Sequence, residues 1–270
     1  MAIKNMSHGF LKNFLLVKKT KDNIKNGNKI LCGYRLPSLF FKKYWLWFSD
    51  PIDIKGADMV NFFSYNKIDR DEFYCKEGMT TVIDLNQGIE AIFSKMRNNF
   101  IIKQIRKGER NGIVIKLDKN FSEFKNIYYV FRKSKNLTKD NPNVLADNGI
   151  LFSAYYNNSM IAGGIFISDG VNIRAWVLAS LRKVSGSKDR EIIGQANRMV
   201  ITEAIKYAKN SGHKQFDLGG INPYSTDIGE KNLAEFKESF GGARIKCYYY
   251  YKVYSKLLKL LMRFRGFKKV

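Results

Sequence analysis

The segment Ala204–Lys246, AIKYAKNSGHKQFDLGGINPYSTDIGEKNLAEFKESFGGARIK, holds the pattern that decides the fold. Its opening residues repeat apolar side chains at helical spacing and stop at Ser211-Gly212, which predicts a helix end. The stretch Gln215–Leu218 then predicts a short buried strand that ends in two glycines, Gly219 and Gly220. A second helix follows, closed by Gly241-Gly242, with apolar residues on one face: Leu233, Phe236 and Phe240. The predicted order is helix, strand, glycine turn, helix.

Residues 80–148, which come before the segment Ala204–Lys246, are predicted to form further strands and helices. A strand at 80–85 contains the sequence VIDL and feeds a long helix with apolar residues at three- and four-residue steps, namely Ile89, Ile92, Phe93, Met96 and Phe100. Gly112–Lys116 predicts another strand, and 121–136 predicts an amphipathic helix. A polar loop is expected from Asn136 to Asn148.

Three consecutive antiparallel strands are predicted next, at 150–155, 160–167 and 171–178. Asn157 and Asn158 join the first two, and asparagine tolerates the positive φ that a hairpin turn needs. Closer to the N-terminus, two aromatic strand-like runs surround Pro37 and a further short strand covers 60–65. After the second helix, Cys247–Ser255 predicts a final aromatic strand.

The composition predicts a folded and strongly basic protein. Its 270 residues are 45% hydrophobic, which is ample for a core, and its 47 Lys and Arg against 24 Asp and Glu give a formal charge of +23. Such a charge attracts anions such as tRNA, CoA, sugar nucleotides or acidic lipid headgroups. A merely solvated lysine-rich surface is the alternative for any single cluster.

Cysteine and histidine usage excludes several classes of site. The three cysteines are isolated, so they predict neither a disulfide framework nor a zinc site, and they fit a reducing, cytoplasmic compartment. With only two histidines, a histidine-rich metal centre is excluded, and His213 is expected in a surface turn rather than as a catalytic base. No apolar run reaches the length of a membrane span, and the stretch Phe10–Val17 is interrupted by Lys12 and Asn13.

The order of these predicted elements resembles the Gcn5-related N-acetyltransferase (GNAT) fold. More closely, the chain resembles the Fem-type peptidoglycan-bridge aminoacyltransferases. The resemblance covers roughly residues 80–255 and lies in VIDL at 82–85, EAIKYAKNSGHKQFDLGGINP at 203–223 and EFKESFGG at 235–242. It implies an α/β (α+β) fold with a mixed, mostly antiparallel sheet flanked by helices.

The resemblance also implies a division of the chain. Residues 1–78 are expected to form a truncated N-terminal GNAT-like module, and 79–246 a GNAT-like acyltransferase domain. Residues 247–270 are expected to form the final strand and a short basic amphipathic helix. That helix has two possible uses, to lie on an acidic membrane surface or to dock on the protein's own core.

The acyl donor stays open between acyl-CoA and aminoacyl-tRNA, with no tightly bound cofactor expected. In acetyl-CoA-dependent members, a glycine-rich loop before the long helix exposes N–H groups to the pyrophosphate. Counted back from Ile205, those positions fall on Gln195 and Asn197, and Gly194 comes one residue early. This weakens CoA and favours the tRNA donor of Fem relatives. The predicted substrate-binding residues are Gly194, Gln195, Asn197, Arg198, Gly219, Gly220, Asn222, Arg97 and Arg106, with the arginines reserved for phosphates.

Three residues are predicted to be catalytic. Lys237 lies at the position where Fem relatives place a lysine at the acyl-transfer centre, and its alternative is a surface lysine paired with Glu235 or Glu238. Asp217 is expected to orient the acceptor amine or accept its proton, and its alternative is a carboxylate that holds the N–H groups of the following glycines. Tyr224 is a candidate acid for the leaving group.

The expected function is acyl or aminoacyl transfer to an amine of a cell-envelope precursor, either peptidoglycan or a surface-polysaccharide amino sugar. Transfer would occur by direct attack in a ternary complex. The expected location is cytoplasmic, with peripheral membrane contact through 256–269 left open. The rival hypothesis is a catalytically inactive GNAT-like module that binds RNA or acidic membrane through its charge.

Overall fold

The computed structural model describes residues 24–26, 29–36, 38, 40–96, 100–137, 141–183 and 185–264. These divide into two compact units, one from Thr81 to Arg244 and one that combines the described residues up to Thr80 with those from Ile245 onward. The chain passes from one unit to the other within two strands. The final strand and helix therefore share a unit with the N-terminal residues, whereas the sequence suggested three separate segments.

The strands are β1 (Ile24–Asn26), β2 (Lys29–Leu31), β3 (Gly33–Leu36), β4 (Lys43–Leu46), β5 (Met59–Ser64), β6 (Tyr74–Asp84), β7 (Val114–Asp118), β8 (Ile150–Tyr156), β9 (Ser159–Ser168), β10 (Asn172–Ser180), β11 (Gln215–Ile221) and β12 (Ala243–Val253). The helices are α1 (Ile89–Ser94), α2 (Phe100–Arg110), α3 (Phe121–Ser134), α4 (Pro142–Asn148), α5 (Ser187–Asn210), α6 (Ile228–Glu238) and α7 (Lys256–Phe264).

In the unit from Thr81 to Arg244, the strands lie in the order β6-β11-β10-β9-β8-β7. β7, β8, β9 and β10 pair antiparallel, and β10 pairs parallel with β11 across the long helix α5. Alternate residues of β8 enter two different buried clusters: Phe152 and Ala154 pack with α2 and α5, and Leu151 packs with α3. Helices therefore cover both faces of this sheet.

Local sequence explains several of these elements. Asn157 and Asn158 have φ of 50° and 61°, which gives the two-residue hairpin turn predicted between β8 and β9. The Asn120 side chain caps α3 by accepting from the N–H of Glu123, and the Asp227 side chain caps α6 by accepting from the N–H of Glu230. Each cap fixes where a helix begins.

The glycine pair after α6 explains its abrupt end. Gly241 has φ of +81°, and a Cβ built on it would lie 2.7 Å from the carbonyl oxygen of Lys95. Only glycine allows both this backbone conformation and this close approach to the end of α1. The predicted closure of the second helix by Gly241-Gly242 is confirmed.

Some predicted boundaries were wrong. The long helix expected from Ile89 is two helices, α1 and α2, and residues 97–99 between them lie outside the described residues. The backbone N–H of Lys95 turns back to the carbonyl of Ile92 and ends α1 there. The polar loop 136–148 contains α4, whose start is set by the Asn141 cap and by Pro142 in the first turn.

In the other unit, the strands lie in the order β3-β4-β5-β12, and β1 and β2 form a separate antiparallel pair. β3–β4 and β5–β12 are antiparallel, and β4–β5 is parallel. Its core includes Leu46, Val60, Phe62 and Tyr250. The predicted α/β class, with a mixed and mostly antiparallel sheet flanked by helices, is confirmed.

Among the residues that the structure describes, no helix is long and apolar enough to cross a membrane. The apolar stretch Phe10–Val17 and the basic residues after Phe264 lie outside those described residues.

Candidate active site

The candidate site begins where β10 and β11 separate. The two strands pair in parallel only from Asn172↔Gln215 to Arg174↔Asp217. The opposite edge of β10 pairs with β9, and directly after Arg174 that pairing contains a bulge between Ala175 and Val177. A bulge bends its strand and increases its twist, so β10 leaves β11 at this point. Beyond Asp217, the backbone of β11 is therefore no longer paired with β10.

Arg174 and Asp217 form a buried ion pair at this point. Both residues are almost fully buried, at 5% and 0% exposure, and Nη1 of Arg174 donates to Oδ2 of Asp217. The other carboxylate oxygen accepts from the backbone N–H of Gly219 at 2.6 Å. Sequence reasoning missed Arg174, although a charged residue inside the apolar strand VNIRAWVL was a usable signal, because buried charges are paired.

Asp217 thus has both oxygens occupied by groups of its own chain. The predicted strand end at Leu218 was wrong, because β11 continues through Gly219 and Gly220 to Ile221. Gly219 has a positive φ, and this glycine segment within β11 is called the glycine turn below. The contacts of Asp217 support the positioning alternative, in which the carboxylate fixes the glycine turn, over direct contact with the acceptor amine. The proposed proton-accepting role of Asp217 stays a prediction.

Lys237 is buried, at 8% exposure, and its Nζ donates to the carbonyl oxygen of Gly220 at 2.9 Å. The surface-lysine alternative is therefore wrong: Glu238 pairs with Arg244 instead. Helix α6 directs Lys237 inwards because Ala234, one turn earlier on the same face, is also buried. The chain of contacts runs from Arg174 through Asp217 and the glycine turn to the lysine ammonium.

Burial lowers the pKa of Lys237 from 10.5 to about 7. The positive charge of Arg174 lowers it further, and the negative charge of Asp217 raises it. Within the described residues, the carbonyl of Gly220 is the hydrogen-bond acceptor of this ammonium. An ammonium carries three donors, so two N–H groups remain for a bound molecule.

This pKa predicts a specific dependence of stability on pH. Between about pH 7 and 10.5, the unfolded chain holds the Lys237 proton and the folded chain has lost it. The free energy of unfolding therefore rises with pH in this window, and below it the penalty for burying the charge is fully present. Lys237→Met should remove this rise, which amounts to at most about 1.4 kcal/mol per pH unit.

Urea unfolding of wild type and Lys237→Met between pH 6 and pH 9.5 checks this, read as the difference between the two proteins. Lys231→Met, an exposed lysine of the same helix, is the matched control and should leave the slope unchanged. If the free energy of unfolding changed with pH equally in wild type and Lys237→Met, Lys237 would have an ordinary pKa.

Gly219 makes the close approach of Lys237 possible. Its φ is +88°, and a Cβ there would lie 3.1 Å from both Nζ of Lys237 and the carbonyl oxygen of Ala175. Gly219→Ala should lower the free energy of unfolding by about 1–3 kcal/mol through backbone strain and crowding.

Gly170 provides the matched control, because it has the same φ of +88° with nothing within 4 Å of its Cβ position. Denaturant unfolding of both alanine variants separates backbone strain, which they share, from crowding at Lys237. Equal destabilisation would mean that Lys237 does not constrain residue 219.

A second group of cations lies beside α6. The guanidinium of Arg198 stands over the rings of Phe100 and Phe236, at 5.1 and 5.5 Å from their centroids, and its Nη1 donates to the carbonyl of Gly194. A Cβ on Gly194 would lie 3.5 Å from Arg198 Nη1 and 3.9 Å from Arg182 Nε, so two guanidinium groups meet here. Burial lowers the pKa of Arg198, and the charge of Arg182 lowers it further.

This arginine pair suits an anion. Within the described residues, no carboxylate pairs with Arg182 or Arg198, and the buried Nε of Arg198 has no hydrogen-bond partner. A phosphate oxygen would relieve their mutual repulsion and accept their N–H groups. Phe236 precedes Lys237 in sequence, so Arg198 packs against the same helix, α6, that carries Lys237. Arg182 was not predicted from the sequence.

The count back from Ile205 placed residues 194–197 in a loop before the long helix, and this placement was wrong. α5 begins at Ser187, so Gly194, Gln195 and Asn197 lie inside the helix, where backbone N–H groups bond along the helix. Gln195 is fully buried and its Oε1 accepts from Asn111 at 2.9 Å, while Asn197 donates to Ser180 Oγ at 3.2 Å. These side chains hold α5 against its neighbours, and any contact with substrate stays a prediction.

The remaining predicted site residues are more scattered. Asn222 donates to Glu230 Oε2 at 2.9 Å and holds the loop between β11 and α6. Tyr224 is 78% exposed in that loop, and Arg106 is exposed on α2. Arg97 lies outside the described residues. The structure brings none of these described side chains into contact with Lys237.

His213 is not the surface turn residue that the sequence suggested. It is 7% exposed, with Nε2 2.7 Å from Ser168 Oγ and Nδ1 3.2 Å from the carbonyl of Ala208. A carbonyl only accepts, so Nδ1 carries the proton and His213 links α5 to β9 structurally. In the described part of the chain, no cluster of His, Cys, Asp or Glu is suited to a metal ion.

No protein-family model matches this sequence, and a search of curated proteins returns no significant match. Solved structures do match. A crystal structure of FemX superposes with a TM-score of 0.60 over 89% of both chains at 11% identity. The C-terminal domain of a putative lysylphosphatidylglycerol synthetase from Agrobacterium fabrum gives 0.52 at 12% identity, over 85% of this chain and 83% of that chain. L-PGS from Bacillus licheniformis gives 0.50 at 12% identity, over 86% and 84%. The chain therefore has a Fem-like fold.

Proposed function

We propose that this protein transfers an aminoacyl group from aminoacyl-tRNA to an amine of a cell-envelope precursor, by direct attack in a ternary complex. The observation that carries the proposal is the buried Lys237 ammonium, held by the Gly220 carbonyl where β10 and β11 separate. This position agrees with the lysine that the Fem resemblance assigns to the acyl-transfer centre.

The reaction needs no covalent intermediate on the enzyme. The neutral acceptor amine attacks the ester carbonyl carbon, a C–N bond forms, and the C–O bond to the tRNA ribose breaks. The amine loses one proton, and the departing ribose oxygen gains one. The enzyme must aim the amine and stabilise the negative charge that develops on the carbonyl and leaving oxygens.

Lys237 supplies that stabilisation in this scheme. Its two remaining N–H groups would donate to the developing oxyanion, and the low-dielectric surroundings strengthen this interaction. Because its pKa is about 7, the protonated form is present near neutral pH. The Arg174–Asp217 pair and the glycine turn keep the ammonium in place before substrate arrives.

The arginine pair supports a phosphate-bearing donor. Arg198 stands over Phe236 and Phe100, Arg182 lies near it, and the exposed ring of Phe100 offers an apolar surface beside Arg198. A tRNA 3′ end carries both phosphodiesters and a stacking base. Acyl-CoA also carries phosphates, and residues 194–197 do not bear on a pyrophosphate loop because α5 already begins at Ser187. The resemblance to the Fem-type enzymes is what favours aminoacyl-tRNA.

The acceptor is proposed only as a class. One structure with this fold is the C-terminal domain of a putative lysylphosphatidylglycerol synthetase, a name that joins an amino acid to an envelope lipid. Phosphatidylglycerol offers a hydroxyl group and no amine, so the amine acceptor proposed for this chain rests on the Fem resemblance. Peptidoglycan precursors and surface-polysaccharide amino sugars both offer amines and lie within the same class. The high positive charge of the chain suits the phosphates that such precursors carry.

The test supplies a mixed pool of radiolabelled aminoacyl-tRNA, or labelled acetyl-CoA, together with amine acceptors of both precursor types. We expect loss of label from tRNA only when an acceptor is present, with the label recovered on the acceptor amine. Arg182→Gln and Arg198→Gln should raise the KM for the donor more than they lower kcat, because they contact phosphate rather than the reacting carbonyl.

Transfer from acetyl-CoA alone would replace the tRNA donor by CoA and leave the acyl-transfer proposal standing. Absence of transfer from either donor, combined with salt-sensitive binding of any polyanion that Lys237→Met leaves unchanged, would identify the inactive binding module instead.

A further inference from the structure

We propose that the outward face of α7 and the neighbouring loop Phe40–Lys43 form a docking surface for an anionic phospholipid bilayer. The proposal concerns a surface apart from Lys237 and does not depend on the transfer reaction.

Helix α7 has two different apolar faces. Leu258 and Met262 are buried and hold the helix on its own unit. Four other apolar residues point outwards at 43–81% exposure: Leu257, Leu260, Leu261 and Phe264. Their three- and four-residue spacing places them on one continuous stripe. Docking on the protein therefore uses only part of the apolar surface of this helix.

Basic residues border the exposed stripe. Lys256, Lys259 and Arg263 recur at helical spacing beside it, and the described helix Lys256–Phe264 contains no acidic residue. A helix that presents leucine and phenylalanine beside lysine and arginine lies naturally in the interface plane of a bilayer. Contiguous exposed apolar surface of this kind marks an interaction site.

The loop Phe40–Lys43 is held near the start of α7 by Asp58. The backbone N–H of Lys42 donates to Asp58 Oδ2 at 2.8 Å, and the backbone N–H of Tyr254 donates to the Asp58 carbonyl at 2.8 Å. Asp58 therefore ties the loop to the residues directly before α7. Within the loop, the ring of Phe40 is 81% exposed and Lys42 is exposed.

The combination of exposed apolar residues and basic residues favours a bilayer over RNA or a protein as the partner. RNA offers phosphates but no apolar medium for the aliphatic side chains of α7, whereas an apolar protein groove offers no compensating negative charge. An anionic bilayer provides both an acyl region and negatively charged headgroups. The net charge of +23 strengthens attraction to such a surface.

The first experiment measures flotation of the full chain with phosphatidylcholine vesicles, with and without phosphatidylglycerol. We expect binding only when phosphatidylglycerol is present. Leu257→Gln/Leu261→Gln/Phe264→Gln should lower the partition coefficient by about tenfold or more. Lys256→Gln/Lys259→Gln/Arg263→Gln should lower it by about fivefold per residue. Val114→Gln/Leu117→Gln on β7 removes apolar residues of similar exposure, 53% and 59%, and should leave binding unchanged.

The second experiment places a fluorescent reporter on the surface through Phe264→Trp. The chain has three tryptophans of its own, so the emission of the introduced one is read as the difference between Phe264→Trp and wild type. This difference emission should shift to the blue when phosphatidylglycerol vesicles are added. Absence of vesicle binding, or equal binding by the α7 variants and wild type, would overturn the proposal.

Emission from the introduced tryptophan that is already blue and insensitive to vesicles would also overturn the proposal, because the face would then be covered. Sedimentation velocity would show whether a second copy or another part of the chain covers it. Both measurements use no donor or acceptor, so their failure is distinguishable from failure of the transfer reaction.

Discussion

Lys237→Met should lower the rate of acyl transfer by about 10²–10³-fold, which is the usual cost of removing one donor that stabilises an oxyanion. Methionine retains most of the apolar length of the side chain but carries no charge and no N–H group. The loss should appear in kcat, because the ammonium acts on charge that develops after the substrates are bound. Single-turnover transfer from labelled aminoacyl-tRNA to a saturating amine acceptor measures it.

The structure allows this loss to be separated from unfolding. Lys237→Met removes a buried charge, so the variant should be at least as stable as wild type below about pH 7, where the penalty of burial is complete. Lys231→Met, on the exposed side of the same helix, should retain transfer. A folded Lys237→Met protein with wild-type kcat would remove the lysine from the mechanism.

Arg174→Met should lower the free energy of unfolding by about 3–5 kcal/mol, because it leaves the fully buried carboxylate of Asp217 without its cation. The loss of transfer should follow the loss of structure around the glycine turn, since Asp217 would no longer hold the Gly219 N–H in the same geometry. Urea unfolding monitored by circular dichroism at neutral pH provides the measurement.

The double variant Arg174→Met/Asp217→Asn tests the cause. It removes both charges and keeps an oxygen for the Gly219 N–H, so it should recover most of the lost stability. Lys206→Met breaks the half-exposed pair with Glu203 and should cost less than about 1 kcal/mol. If the double variant is no more stable than Arg174→Met, packing rather than charge explains the loss.

The sequence alone predicted much of this fold because its signals are local. The period of apolar residues marked the strands and helices, and Asn157-Asn158 and Gly241-Gly242 marked a turn and a helix end through their backbone preferences. The resemblance to the Fem-type enzymes, carried by short motifs of the chain, added Lys237 as the leading candidate and the sheet as mixed and mostly antiparallel. These inferences depend on neighbours along the chain, which the sequence contains.

Tertiary structure decided what depends on residues far apart in sequence. Arg174 and Asp217 meet only because β10 and β11 pair in parallel, with α5 connecting them along the chain. Arg182 comes near Arg198 only because the turn after β10 packs against α5. The start of α5 at Ser187 moved Gly194–Asn197 from a loop into a helix, although counting residues back from Ile205 had suggested otherwise. The division of α7 into a docked face and an exposed face likewise depends on what packs against it. Burial, and with it the lowered pKa of Lys237, is a property of the surrounding atoms, and only the folded chain fixes where those atoms lie.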